Sequence, residues 1–335
     1  MNRIAGVRGN TGAKILLGAK TGGVASPGPS LVRLVLVCLA AGAVLAGCSI
    51  KRMAVDIVGD AITGGGTSFQ SDEDPELVRQ ALPFGLKTYE SMLEVSPEHR
   101  GLLLESARGF TAYAYLLQND ADQLEDSDLT RTRKMRARAR KLYLRGRNHA
   151  LRGLEANHPG FKARLFGDRA AALAATTRED VDFLYWAGAA WAGALGTAKD
   201  DLDLLAELPV AGALVGRVLE LDDKFDAGTA HEFFVSYEGS RPGGSVRRAR
   251  RHYRLALTHS KGGRASVHLA LAEAVSQQQQ NLEEFKSLLA AALAVDPDEF
   301  PQFRLVNTVA HTRARWLEAR IPALFVEAKE KESQK

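Results

Sequence analysis

From residue 74 to the C-terminus, apolar residues recur three and four positions apart, which places them on one face of a helix. Ala and Leu dominate these stretches, and alternating β-branched runs do not occur in them. The pattern predicts an all-α fold, a superhelical array of antiparallel helix hairpins. The predicted helices lie at about residues 75–95, 99–119, 131–157, 179–198, 208–221, 229–239, 245–259, 264–278, 281–295, 302–319 and 322–331.

Local signals mark several helix ends. Asp74 followed by Pro75 supplies an N-cap and a proline at the first helical position. Thr176 and Glu179 have the spacing of a capping box. Three predicted helices end at a proline that follows their apolar run, namely Pro97, Pro159 and Pro297. Because these signals leave only short connections between the predicted helices, we expect consecutive helices to pack as antiparallel neighbours.

Helix ends of one type recur about every 62 to 74 residues, near twice the tetratricopeptide period of 34. These helix ends lie at residues 93–97, 154–161, 219–225 and 293–300. Residues 249–257 and 285–293 also match the small–aromatic–Ala spacing of that repeat's second helix. An Ala- and Leu-rich array could give such spacings by chance, but helix ends and spacing agree independently. The sequence therefore favours a tetratricopeptide-like architecture.

The first 48 residues follow a different pattern. Arg33 precedes an apolar run of about 12 residues, too short to span a bilayer, and the run ends in Leu45-Ala46-Gly47-Cys48. This ending resembles the lipobox of bacterial lipoproteins, in which the cysteine is acylated and becomes the new N-terminus. The sequence predicts a signal peptide at 1–47, with the true start codon near Val24 or Val32. The alternative is an uncleaved anchor helix.

Cleavage would leave residues 48–70 as a lipidated tether and residues 71–331 as the helical domain. Several acyl chains on Cys48 would hold the protein firmly on a lipid bilayer. The predicted location is the periplasm-facing side of the bacterial cell envelope, and Ser49 favours the outer membrane over the inner one.

Charge argues against a nucleic-acid partner. The full chain carries 44 basic and 40 acidic residues, a formal net charge of +4. Residues 1–47 hold five of the basic residues and no acidic one, so the mature chain has 39 and 40, a net charge of −1. Of the two cysteines, Cys38 lies in the predicted signal peptide and Cys48 is consumed by acylation. No thiol would remain for catalysis, a disulfide or a metal.

A strongly basic segment follows an acidic one. Five acidic residues between positions 120 and 128 precede ten basic residues between 131 and 152. We expect a partner or anion surface on this helix, formed by Arg138, Arg140, Arg145 and Arg147. The alternative is a solvated helix neutralised by the acidic segment. A second basic stripe lies at 247–254.

An aromatic cluster suggests a ligand pocket between the predicted helices at 99–119 and 179–198. Its members are Tyr113, Tyr115, Tyr185, Trp186 and Trp191. Small residues surround Trp191 and could form the floor of a cleft for an apolar ligand. The alternative is that these side chains belong to the core.

Nothing in the sequence indicates catalysis. His231-Glu232 lacks a second histidine four residues later, so the zinc-helix motif fails. His252, His259 and His268 are not spaced to share one helix face, and no Gly-x-Ser-x-Gly elbow occurs. We predict no enzyme activity, no cofactor and no metal site.

Stretches along most of the chain resemble one family. They are Ser71–Val78, Ala81–Lys87, Gly109–Phe110, Tyr113–Tyr115, Arg138–Arg147, Tyr185–Trp186 with Trp191, Ala249–Tyr253, Asp296–Pro297 and Arg313–Leu317. In order and spread they are similar to the T component of tripartite ATP-independent periplasmic (TRAP) transporters, often called TatT. The resemblance implies a non-catalytic lipoprotein that partners a periplasmic substrate-binding (P) subunit and can hold an apolar or amphipathic ligand. A homo-oligomer is compatible with it. The alternative function is an envelope-assembly scaffold with no small-molecule ligand.

Overall fold

The computed structural model describes residues 51–64, 69–197, 201–326 and 328. These residues form helices and turns, and no strand occurs among them, so the predicted all-α fold class is confirmed. The predicted signal peptide and Cys48 lie outside the described residues. Along the described ranges, no helix combines the length and hydrophobicity that a transmembrane span requires.

The helices are, in chain order, α1 (51–63), α2 (Pro75–Val95), α3 (Arg100–Gln123), α4 (Leu129–Asn157), α5 (Phe161–Gly167), α6 (Arg169–Ala174), α7 (Val181–Gly196), α8 (Leu202–Leu205), α9 (Leu208–Leu221), α10 (Phe225–Ser240), α11 (Val246–Ser260), α12 (Ala265–Leu271), α13 (Leu282–Leu293), α14 (Arg304–Ala319) and α15 (Ile321–Leu324). A π-helical turn, Ala272–Ser276, continues α12. The predicted helices at 75–95 and 208–221 match α2 and α9 in full. The short helices α5, α6 and α8 were not predicted.

The caps confirm one boundary signal and correct another. The Asp74 carboxylate accepts hydrogen bonds from the backbone N–H groups of Glu76 and Leu77, at 2.9 and 3.1 Å. The capping box before α7 lies one residue later than predicted, because Thr177 donates its backbone N–H to Asp180 at 3.0 Å. His158 fixes this register, since its Nε2 lies 2.8 Å from the same carboxylate.

Successive long helices pack as antiparallel pairs, and α3 with α4 is the most extensive. The Thr132 hydroxyl, at the start of α4, donates to Ala121 O near the end of α3, at 3.3 Å. At the other end of the pair, Arg100 donates to Gly153 O at 2.9 Å. The pairs α7 with α9, α10 with α11 and α12 with α13 follow along the chain. Each buries the apolar faces that the sequence pattern predicted.

Two large apolar cores lie within this array. The first extends from α2 to α10 and contains the fully buried Leu102, Phe161 and Leu184. The second is formed by helices from α10 onward and contains Phe285 and Leu317. A smaller cluster lies between α3, α4 and α7. The repeat ancestry itself stays a prediction.

The C-terminal helices return to the beginning of the helical unit. The Leu305 backbone N–H donates to Gln70 O at 3.1 Å. Arg313 of α14 pairs with Asp122 of α3 at 2.9 Å, and Arg320 pairs with Asp126. These polar contacts join α14 and the residue after it to the segment before α2, to α3 and to the turn after α3, in contrast to the apolar packing between consecutive helices.

Helix α1 contacts the turn between α2 and α3. His99 Nε2 lies 3.2 Å from Asp56 O and 3.5 Å from Asp60 Oδ1. Val55 packs against the first core. The segment following the predicted lipidation site is therefore helical and folded against the domain from residue 51 to residue 63.

Candidate functional site

The arginines of the predicted partner surface on α4 differ in how they are engaged. Arg140 pairs with Asp201 at 3.1 Å. Arg145 pairs with Glu90. Arg147 lies over the Trp191 ring, 4.5 Å from its centroid, and 3.6 Å from a Glu207 oxygen. These three arginines form contacts within the fold.

Arg138 is engaged differently from these three arginines. Its guanidinium lies over Tyr113, 5.6 Å from the ring centroid, and donates to the tyrosine hydroxyl at 3.2 Å. No carboxylate of the described residues pairs with it. Four exposed basic residues lie on one face of α4 at helical spacing, and we call them the α4 basic stripe: Arg131, Lys134, Arg138 and Lys141. The other three also have no carboxylate partner in the described part of the chain.

The acidic segment before α4 does not neutralise the stripe. Within α4 it pairs with Arg136, which lies 2.7 Å from Asp122 and 3.0 Å from Glu125. Asp120 pairs with Arg79 of α2, Asp122 also pairs with Arg313 of α14, and Asp128 caps α4 by accepting from the Arg131 backbone N–H at 2.9 Å. The charge of the α4 basic stripe is therefore left facing solvent.

The predicted pocket residues do not line one cavity. Trp191 is 1 % exposed, donates its Nε1–H to Glu207 at 2.7 Å and packs on Phe166. Trp186 packs edge-on against Tyr185, with ring centroids 5.2 Å apart. Tyr113 lies under Arg138. The structure thus disperses the cluster, and Trp191 is part of the core.

The charge of Glu232, on α10, acts on both Tyr115 and Tyr185. Tyr115 is 41 % exposed, yet burial raises the pKa of its hydroxyl. The surroundings of Tyr115, Tyr185 and Glu232 form a candidate ligand site, which we call the recess. Burial also raises the pKa of Tyr185, whose hydroxyl lies 3.5 Å from that of Thr229. The charge of Glu232 adds to the rise at both tyrosines.

Glu232 itself is unusual. Its Oε2 is buried and makes no hydrogen bond with the described residues, and burial raises the pKa of the carboxyl. The nearby Arg264 opposes this rise. A buried carboxyl group with Arg264 and the Ser266 hydroxyl nearby can receive the polar end of a small molecule. The sequence had singled out Glu232 only as part of a failed metal motif.

Three side chains from α9–α11 could hold a metal ion. Asp223, His231 and His259 each offer one ligand atom, and these atoms lie within 4.8 Å of one another. Spacing along the chain gave no signal, because the three residues come from a turn and two helices. Elsewhere, α6 and α9 border a cleft of small apolar residues in which Arg217 and Glu220 pair at 2.8 Å. None of the predicted site residues lines that cleft.

The fold defines an all-helical protein built from packed antiparallel helix pairs. The profile of the TRAP transporter T-component family matches residues 71–325, so the chain belongs to the TRAP transporter T-component (TAtT) family. This confirms the resemblance seen in the sequence, and the family is one of transporter-associated components. The chain is also 29 % identical over 318 residues to an uncharacterized protein of Treponema pallidum (strain Nichols), which covers 88 % of this chain and 98 % of that protein.

Proposed function

We propose that this protein is a non-catalytic, periplasm-facing lipoprotein subunit of a TRAP-type transport system. It is anchored through an acylated Cys48 and docks a periplasmic substrate-binding subunit. The recess at Tyr115, Tyr185 and Glu232 holds an apolar or amphipathic ligand. Family membership supports the association with TRAP transport. Docking, ligand and anchor rest on the arguments below.

The α4 basic stripe is the observation that carries the docking proposal. Four like charges on one helix face repel one another, and no carboxylate of the described residues offsets them. Such a face attracts an acidic partner over distance and orients it on contact. In a transport-associated protein, the substrate-binding subunit is the partner that this surface fits best.

Charge reversal tests the docking surface. Because Arg140 and Arg145 hold internal ion pairs, the test uses Lys134→Glu, Arg138→Glu and Lys141→Glu together. At about 0.5–1 kcal/mol for each lost contact, the Kd for the substrate-binding subunit should rise at least about tenfold in calorimetry.

The second basic stripe, on α11, provides the matched control. Arg247, Arg251 and Arg254 are also exposed at helical spacing, and no carboxylate of the described residues pairs with them. Changing these three arginines to Glu alters the net charge by the same amount and should leave the Kd for the substrate-binding subunit within about twofold of the wild-type value. Equal affinity for the wild type and the α4 variant would remove this surface from the mechanism.

The proposed ligand site is tested by looking for a molecule bound to the purified protein. Native mass spectrometry of the delipidated protein should reveal a co-purifying amphipathic molecule. Replacing Glu232 with Gln keeps the size of the side chain but removes its ionisable group. The fraction of protein molecules that carry the co-purifying molecule should fall. The control is Trp191→Phe, a change in the core outside the recess. A protein that carries no small molecule would instead favour the scaffold function.

The anchor is tested by metabolic labelling. Palmitate should label the wild type and leave Cys48→Ala unlabelled, because the acyl chains are attached through the thiol and new N-terminus. A mature form found in the cytosol, or unlabelled wild type, would contradict the envelope location.

A further inference from the structure

A cluster of three histidines and one aspartate joins the turn after α9 to α10 and α11. His231 Nε2 lies 3.2 Å from one oxygen of Asp223, and His259 Nε2 lies 3.3 Å from the other. The two imidazole rings are stacked, with centroids 5.4 Å apart and planes 23° from parallel. His252 also packs on His231, with ring centroids 5.1 Å apart.

These distances match those between the ligands of a tetrahedral metal ion. Zn²⁺ binds imidazole nitrogens and carboxylate oxygens at about 2.0–2.2 Å, so that neighbouring ligand atoms lie about 3.3–3.6 Å apart. The separations of 3.2 and 3.3 Å are close to this value, each to a different oxygen of Asp223, and one ligand atom from each residue lies within 4.8 Å of the other two. Small side-chain rotations would close the remaining distance.

His259 provides a second observation. Its Nε2 is buried and makes no hydrogen bond with the described residues, although it lies 3.3 Å from Asp223 Oδ2. A buried imidazole nitrogen without a hydrogen bond is costly, and a metal ion would satisfy it.

His252 supplies the outer contact that metal-bound histidines usually have. Its Nδ1 lies 2.8 Å from Nδ1 of His231, so one of these nitrogens donates a proton and the other accepts it. If Nε2 of His231 binds a metal ion, Nδ1 of the same ring carries the proton and donates a hydrogen bond to His252.

We propose that Asp223, His231 and His259 bind a divalent transition-metal ion, with Zn²⁺ as the best match. Two imidazoles and a carboxylate suit this ion. Asp223 is 60 % exposed, which gives the ion a path from solvent and leaves the fourth position open to water. Because the ligands come from three elements, the ion would fasten the α9–α10 turn to the end of α11.

The test is direct metal binding by the full-length protein purified in detergent and stripped with a chelator. Calorimetry with Zn²⁺ should show one ion per chain, and Co²⁺ should give the visible absorption of tetrahedral coordination. Asp223→Asn and His259→Gln should each raise the Kd more than about 100-fold. The matched control is His268→Gln, because His268 contacts the Tyr253 hydroxyl and pairs with no carboxylate of the described residues.

Two milder variants keep the test decisive if a ligand variant fails to fold. His252→Gln should weaken binding about 10- to 100-fold, the usual effect of losing an outer partner. Arg251→Gln should tighten binding, because the charge of Arg251 acts on His231 and His252 and opposes a cation there. Absence of Zn²⁺ binding, or unchanged affinity in Asp223→Asn and His259→Gln, would overturn the proposal.

Discussion

Arg313 joins the last long helix to two others, and its loss should destabilise the fold. Its guanidinium donates to Asp122 at 2.9 Å and to Glu273 at 2.7 and 3.3 Å, and it lies 4.3 Å from the centroid of Trp316. The side chains of Arg313 and Asp122 are each only 13 % exposed. Burial lowers the pKa of Arg313, but both acids raise it above the ordinary value.

The magnitude follows from what Arg313→Met would leave behind. Removing one partner of a buried ion pair costs about 3–5 kcal/mol. Asp122 keeps Arg136 as a partner, at 2.7 Å, so the lower end of that range applies. A loss of about 3 kcal/mol corresponds to a fall in Tm of about 6 °C for a domain somewhat larger than 250 residues.

Thermal and urea unfolding followed by circular dichroism provide the assay. The control is Lys286→Met, because Lys286 and Glu283 pair at 3.6 Å with side chains 50 % and 88 % exposed. Such a surface pair contributes less than about 1 kcal/mol. If Arg313→Met costs no more than Lys286→Met, the polar contact between α14 and α3 does not hold the structure together.

Three further variants test separate features. Gly153→Ala should cost about 1–3 kcal/mol in urea unfolding, because an added Cβ would overlap the Phe183 ring, whereas Gly167→Ala, which meets no atom, should not. Burial acts to raise the pKa of Asp180, but hydrogen bonds from Thr177 and other groups lower it overall. Its stabilising effect is therefore present above about pH 4 and is lost as the pH falls further, so Asp180→Asn should flatten the acid side of a stability–pH curve. Trp191→Phe should lower Tm through loss of the bond to Glu207.

The long helices were predictable because their signals are local. Apolar spacing and the residue pairs at helix starts depend on neighbours in the chain, and they placed α2 and α9 at their observed bounds. The short helices were not, because a helix of seven residues such as α5 buries only Phe161 and Leu165 and shows no periodicity. The left-handed backbone at Asp226 and Ala227, with φ of 41° and 52°, also lacked a sequence signal.

The candidate sites depend on contacts that spacing does not encode. The sequence identified α4 as basic, but which arginines are free follows from partners distant in the chain, such as Glu90 for Arg145. Glu232 of the candidate ligand site and Asp223 of the proposed metal site acquire their surroundings only when separate helices pack. Charge type was therefore readable from the sequence, whereas charge compensation was not.

Binding to the substrate-binding subunit tests the central claim most directly. The full-length protein, purified in detergent, would be titrated with the labelled TRAP substrate-binding subunit of the same organism at low and high salt, with fluorescence anisotropy as the readout. We predict saturable binding whose Kd rises with salt, because the α4 basic stripe contributes through exposed charges. Absence of saturable binding at low salt would contradict the account.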